Sequence, residues 1–330
     1  MSSATILGLS GLTLTARERA FFRAVQPWGF ILFARNIDTP EQLRRLTADL
    51  REAVGRDAPV LIDQEGGRVQ RLRAPHWREW LPPLEQAQRP DPERGFWLRA
   101  RIMADELRAV GIDANCAPCC DIAGPQTHPF LRNRCLGEDA ATVARNARAT
   151  ALGFLAGGVL PIIKHIPGHG RAMADSHKDL PLVEACAEDL LTHDFAAFQP
   201  LRDMPMAMTA HIRFAAFDDA PATQSPVMVD LIRQVIGFDG LLMSDDLSMQ
   251  ALSGGIRQRA EATMAAGCDV ALHCNGDMAE MEDAVLGAGA MSEAASARAA
   301  AALARRGPPE PADIAALERE LEGVLQASEV

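Results

Sequence analysis

Gly158-Val159-Leu160-Pro161-Ile162-Ile163-Lys164-His165 is a short apolar run that stops on two ionisable side chains. Its β-branched residues and its length suit a strand buried on both faces. The chain continues Ile166-Pro167-Gly168-His169-Gly170-Arg171-Ala172-Met173-Ala174-Asp175-Ser176-His177. Two glycines and a proline early in this loop give it a shape set by backbone needs. A rigid strand that delivers charged groups onto a shaped loop is a common way to build a functional site.

The same pattern recurs along the chain. Ala4 to Leu9 is one apolar run. Gly29 to Ala34 ends at Arg35-Asn36, and Pro59 to Ile62 ends at Asp63. Ile112 to Asn115 leads into a long irregular segment, Cys116 to Gly137. Pro205 to Ala210 ends at His211, Gly240 to Ser244 at Asp245-Asp246, and Asp269 to Leu272 at His273. Helical stretches mostly separate these runs. Pro40 and Glu41 suit the first turn of one of them, and Gly111, Gly157-Gly158 and Gly267 are stop signals. Eight strands alternating with helices predict a parallel sheet, and this length suggests an α/β fold closed as a (β/α)8 TIM-type barrel. A doubly wound open sheet is the alternative, weakened because no GxGxxG follows the first strand. Nothing in the composition divides the chain, so one barrel domain with a helical C-terminal end is expected over residues 1–330.

A barrel gathers the C-terminal ends of its strands on one face. Asp63, Lys164, His165, His211, Asp245 and His273 would therefore convene on one rim. Asp245, at the end of a buried run, is the candidate nucleophile. Alternation along a strand argues that Asp246 does not share its face and is a structural hydrogen-bonder. Asp175 and His177, two apart in the loop, form a candidate proton-transfer pair in which the carboxylate orients the imidazole. Lys164, Arg71, Arg134 and Asp63 supply the donors and acceptors that a sugar or other polyol requires.

The composition narrows the partners. The chain has 330 residues, 48% of them hydrophobic, and a formal net charge of −11. No basic run tracks a phosphate backbone, which argues against nucleic acid. No stretch reaches the length of a membrane span, and the first residues lack the basic start of a secretory signal. Seven cysteines without a scaffold pattern suit a reducing cytoplasm. Cys116, Cys119, Cys120 and Cys135 allow a zinc site, but without a paired CxxC they read better as buried thiols. Pro167 and Gly168 between His165 and His169 disfavour a helical zinc pair.

At these residues the sequence resembles a known family. Ile62-Asp63-Gln64-Glu65-Gly66-Gly67-Arg68-Val69-Gln70-Arg71, Lys164 to Gly170, Ala174 to His177 and Ser244 to Met249 resemble the bacterial β-N-acetylhexosaminidase branch of glycoside hydrolase family 3. The resemblance implies a retaining mechanism with Asp245 as nucleophile and His177, assisted by Asp175, as acid/base. It implies that Asp63, Arg71, Arg134, Lys164 and His165 bind a terminal N-acetylglucosamine. The implied substrates are muropeptides cleaved in the cytoplasm during peptidoglycan recycling, with no metal or cofactor. A small-molecule sugar or muropeptide is thus the expected partner, without nucleic acid or membrane, and a monomer the expected state. The loop bearing His177 is expected to complete the site by closing over substrate. Two departures stand out. Arg132-Asn133-Arg134-Cys135-Leu136-Gly137-Glu138-Asp139-Ala140 replaces a usual G-x-R-S-F-G-E-D-P, and Arg171 puts a cation where neutral residues are common. Rival readings are a phosphorylase, a metal-dependent barrel hydrolase using His165, His169, His177 and His211, and a muropeptide-binding sensor that does not turn over.

Overall fold

The computed structural model describes residues 2–173 and 179–326. Eight strands close into a barrel: β1 (Ser3–Leu7), β2 (Pro27–Leu32), β3 (Val60–Ile62), β4 (Ala114–Asn115), β5 (Leu160–Ile166), β6 (Met206–Thr209), β7 (Leu241–Asp246) and β8 (Val270–His273). Each strand pairs in parallel with its sequence neighbours, and β8 pairs with β1 to close the ring. The open-sheet alternative is thereby excluded.

The apolar residues split by strand parity. Ile6, Leu61, Ala114, Ile162, Met206, Met243 and Leu272 belong to one buried cluster that draws on all eight strands and fills the barrel. Their neighbours Leu7, Val60, Ile62 and Ile163 join other clusters, against the surrounding helices. This two-sided burial is why the strands read as continuous apolar runs. Each fully buried aliphatic side chain contributes about 1.5–3 kcal/mol, so the barrel is a rigid support for its rim.

The helices begin and end where local chemistry dictates. The helix Pro40–Val54 has Pro at its start and Thr39 as cap, accepting from the Gln42 amide at 3.2 Å. Asp139 caps Ala140–Ala156 through the Thr142 amide at 2.9 Å. Gly267 ends Ile256–Ala266 in the left-handed conformation. The segment Ala187 to Phe198 departs from the regular helical form. One α-turn, Ala187–Asp189, passes into a wider turn, Leu190–Asp194, and then a tighter one, Phe195–Ala197. Glu293–Ala304 and Ile314–Gln326 form the helical C-terminal end. Among the described residues, no helix is long and apolar enough to cross a membrane.

Candidate active site

β5 runs three residues farther than its apolar stretch and carries Lys164 and His165 within it. Strand alternation would send these two side chains to opposite faces, yet both line one cavity of about 320 Å³. The register of β5 against β6 slips between Lys164 and Ile166, and the peptide joining Lys164 to His165 is cis. The expectation for Asp245 and Asp246 meets a similar correction. Both line the cavity, because the register against β8 slips between Met243 and Asp246.

The two aspartates differ in what they hold. Asp246 accepts from Ser248 N at 3.0 Å, Ser248 Oγ at 2.5 Å and Cys274 N at 3.1 Å, so its carboxylate braces the chain after β7. Asp245 Oδ1 accepts only the Asp246 amide, at 2.8 Å. Its Oδ2 takes no hydrogen bond among the described residues. Burial alone would raise the Asp245 pKa, but the nearby imidazoles of His165 and His211 outweigh it and hold the carboxyl below its ordinary value. A rigid, ionised carboxylate with one free oxygen therefore faces the cavity.

The same cavity is lined by members of an ion-pair network. Lys164 Nζ is 2.9 Å from Asp63 Oδ1 and 2.6 Å from Glu65 Oε1. Arg71 reaches Asp63 Oδ2 at 3.1 Å. Arg134 holds Glu65 through two parallel bonds of 2.8 Å. Burial works against the charge on Asp63, but Lys164 and Arg71 drive its pKa far below the carboxylate range. Glu65, likewise buried, is held down to about 2 by Arg134 and Lys164. The Lys164 ammonium is correspondingly stabilised in its charged form. Such a network presents fixed donors and acceptors to hydroxyl groups.

His165 is oriented from behind. Its Nδ1 lies 2.7 Å from Asp121 Oδ2, which leaves Nε2 toward Arg134 at 3.5 Å. Asp121 Oδ1 also accepts the backbone amides of His165 at 3.3 Å and His169 at 2.6 Å. The carboxylate thus fixes both the imidazole and the start of the loop. Thr127 Oγ1 donates to the Gly170 carbonyl at 2.6 Å, and a Cβ on Gly170 would collide with the Ile122 carbonyl oxygen. Gly168 takes φ +147°, a conformation that only glycine adopts readily.

Asp63, Arg71, Arg134, Lys164, His165 and Asp245 all line this cavity. Two members of the expected rim do not. His211 is fully buried behind β7, with Nε2 3.0 Å from the Asp246 carbonyl and Nδ1 2.8 Å from Thr223 Oγ1. His273 turns to Asn275, Nε2 to Oδ1 2.9 Å. Asp175 and His177 lie outside the described residues. Glu65 and Asp121 were missed as site residues. Glu65 sits in the quoted Ile62 to Arg71 motif, where a charge just before Gly66-Gly67 and Arg68 was the available signal. Asp121 lies in the irregular segment after β4 and offered none.

Cys119, Asp121 and His165 bring one ligand atom each within 4.8 Å of one another. Burial pushes the Cys119 thiol well above its ordinary pKa, and Cys119 Sγ donates to Asp121 at 3.2 Å. A metal would require the thiolate and would compete with the His165 bond for the same carboxylate oxygen. These residues therefore read as a hydrogen-bonded core. Among the described residues, Cys116, Cys120, Cys135, His169 and His211 form no further ligand cluster.

Comparison with known proteins places this geometry. The model of the glycosyl hydrolase family 3 N-terminal domain matches residues 13–305. A β-hexosaminidase of Stenotrophomonas maltophilia is 34% identical over 286 residues, covering 83% of this chain and 84% of that protein. One from Pseudomonas aeruginosa is 37% identical over 280 residues, covering 83% of each. Among solved structures, NagZ from Neisseria gonorrhoeae in complex with N-trifluoroacetyl-D-glucosamine superposes with a TM-score of 0.87 at 27% identity, over 99% of both chains. With a closed parallel barrel, a carboxylate cavity at its C-terminal rim and a family match across most of its length, the chain belongs to glycosyl hydrolase family 3, on its bacterial β-N-acetylhexosaminidase branch.

Proposed function

We propose that the enzyme is a retaining exo-β-N-acetylglucosaminidase that uses Asp245 as nucleophile. The observation that carries this is the half-buried Asp245 carboxylate, held below its ordinary pKa and with Oδ2 free among the described residues, lining one cavity with the ion-paired Asp63, Lys164 and Arg134. A cavity of about 320 Å³ suits a single sugar ring, consistent with release from a chain end. Asp63, Arg71, Lys164, Arg134 and His165 bind the ring hydroxyls. Asp63 accepts, and the four basic groups donate.

In the first step an Asp245 oxygen bonds to the anomeric carbon as the glycosidic C–O bond breaks. His177, oriented by Asp175, gives its proton to the departing oxygen. In the second step water attacks the anomeric carbon, His177 takes the water proton, and the ester to Asp245 breaks. The roles of Asp175 and His177 rest on the family motif Ala174 to His177. The N-trifluoroacetyl-D-glucosamine bound by the gonococcal relative supports N-acetylglucosamine as the released sugar. Muropeptides in a cytoplasmic peptidoglycan-recycling route are the substrates we assign. Unpaired cysteines, six of them buried, fit a reducing compartment.

The test is release of p-nitrophenol from its N-acetyl-β-glucosaminide, followed by mass spectrometry with a fluorinated, slowly turned-over N-acetylglucosaminyl donor. The reading requires a covalent sugar adduct on the peptide containing Asp245. An adduct elsewhere, or full activity in Asp245→Ala, overturns it.

A further inference from the structure

Arg99, on the helix Pro92–Ala109, is a buried cation that the proposed chemistry does not use. It is 3% exposed. Among the described residues it forms no ion pair, and every hydrogen-bond acceptor it meets is neutral. Nη1 donates to Gln86 Oε1 at 2.6 Å, and Nη2 to the backbone carbonyls of Leu81, at 2.8 Å, and of Glu65. The guanidinium carbon lies 5.6 Å from the Trp80 ring centroid. Burial pulls the Arg99 pKa down to about 9, and the Glu65 carboxylate works against that fall. A buried cation without an ion-pair partner is costly, so packing alone does not account for an arginine at this position.

The Glu65 carbonyl is the contact that bears on the site. Glu65 turns its carboxylate to Arg134 and Lys164, two donors of the cavity, and its backbone to Arg99. The chain on either side is pinned as well. The Asn115 side chain pairs with the Gln64 amide and carbonyl, both at 2.9 Å, and the Gly67 amide donates to the Trp80 carbonyl at 2.9 Å. Arg99 supplies the support at Glu65 itself. Its approach is close enough to decide the next residue. Gly66 takes φ +107°, and a Cβ there would stand 1.8 Å from Arg99 Nη2.

We infer that Arg99 is a positioning residue for the proposed reaction: from behind the cavity wall it fixes the backbone of Glu65, and through the Glu65 carboxylate the places at which Arg134 and Lys164 meet the sugar. The inference rests on the glycosidase reading and adds to it a residue that does not line the cavity. A misplacement of about 1 Å transmitted from such a distance can cost about a hundredfold in activity. The guanidinium suits the task because its planar fork reaches separate acceptors in fixed directions, which an ammonium on a flexible stem does not.

The experiment follows cleavage of p-nitrophenyl N-acetyl-β-glucosaminide, with N-acetylglucosamine as competing inhibitor, in Arg99→Met made in the parent and in Glu65→Gln. Methionine keeps most of the length and removes every donor. In the parent it should raise KM and the inhibition constant together by about tenfold, with a smaller change in kcat. Arg99→Lys, which keeps the charge and one donor group, should raise both by about threefold. In Glu65→Gln, Arg99→Met should add little, because the residue it supports has already lost its charge. A fall in kcat at unchanged KM and inhibition constant marks a smaller folded fraction and overturns the inference. Losses from Arg99→Met that are as large in Glu65→Gln as in the parent overturn it too. If Arg99→Met or the double variant does not fold, Arg99→Lys in the parent carries the comparison, and an unchanged KM and inhibition constant there overturn the inference. If the intact enzyme releases no p-nitrophenol, the glycosidase reading fails instead.

Discussion

Arg134 meets Glu65 in a parallel two-bond fork, Nε to Oε2 and Nη2 to Oε1, both 2.8 Å, with neither side chain more than 8% exposed. Lys164 shares the same carboxylate at 2.6 Å. Removing the Glu65 charge would leave two buried cations with one carboxylate, Asp63, between them and Arg71. Breaking a buried pair from one side costs about 3–5 kcal/mol. Glu65→Gln should therefore lower the melting temperature markedly as well as weaken sugar binding. Calorimetry of the purified variant decides it, and an unaltered midpoint would show that the network is not structurally coupled.

Asp121 gathers the His165 ring and two backbone amides on one carboxylate. Asparagine keeps the shape but brings a donor where an acceptor stands. The expected outcome for Asp121→Asn is a stability loss of about 1–3 kcal/mol from poorly satisfied buried groups. Turnover should fall by one to two orders of magnitude, roughly, as the imidazole loses its fixed orientation. Urea denaturation and steady-state kinetics measure the two effects separately. Wild-type turnover in a folded variant would refute the orienting role.

Asp245 has no substitute within reach, since Asp246 is committed to Ser248 and Cys274. Asp245→Ala should lower kcat by about a thousandfold or more, as loss of a covalent nucleophile does. Its fold should persist, because among the described residues Asp245 accepts a single short-range hydrogen bond. A circular dichroism spectrum matching the parent, with residual activity below the detection of p-nitrophenol, is the result to look for.

The acid side of the stability profile follows from three carboxyls. Glu65 is held at about 2, and Asp63 and Asp121 are also depressed, because basic partners outweigh their burial. The folded chain binds protons there less tightly than the unfolded chain. The stabilisation is complete above the ordinary carboxylate range, near pH 4, and is lost as pH falls through the folded values. Melting temperatures should thus drop steeply below about pH 4. A flat profile down to pH 3 would contradict the network.

Glu106 works in the opposite direction. Burial pushes its pKa up to about 7, and its Oε2 is buried without a hydrogen-bond partner among the described residues. The folded chain keeps this proton after the unfolded chain has released it. Its contribution therefore declines as pH rises from the ordinary carboxyl value through 7. Glutamine mimics the protonated acid at every pH. Glu106→Gln should leave the melting temperature near the parent value at pH 5 and raise it at pH 8, a crossing that paired scans at the two values detect.

Much of this molecule was legible in the residues themselves. The eight apolar runs are continuous because each strand is buried on both faces, against the barrel interior and against helices, and that double burial leaves a plain mark in sequence. Helix starts at Thr39-Pro40 and Asp139 and the stop at Gly267 were equally local, since caps satisfy backbone groups within a few residues. Asp63, Lys164, His165 and Asp245 could be assembled on paper because a parallel barrel puts every strand's C-terminal end on one face. What remained hidden depends on contacts between distant segments. Asp121 lies 44 residues before the imidazole it orients, in a stretch with no periodic pattern. Glu65 gains its role only when Arg134, 69 residues away, closes on it. His273 ends a strand like its fellows but turns aside to Asn275, and Lys164 with His165 share a cavity only because register slips where alternation would separate them. The sequence determined the scaffold and which strand ends carry charge, since burial and capping act locally. The tertiary structure alone decided which of those charges pair, because pairing over a few ångströms depends on how remote segments pack.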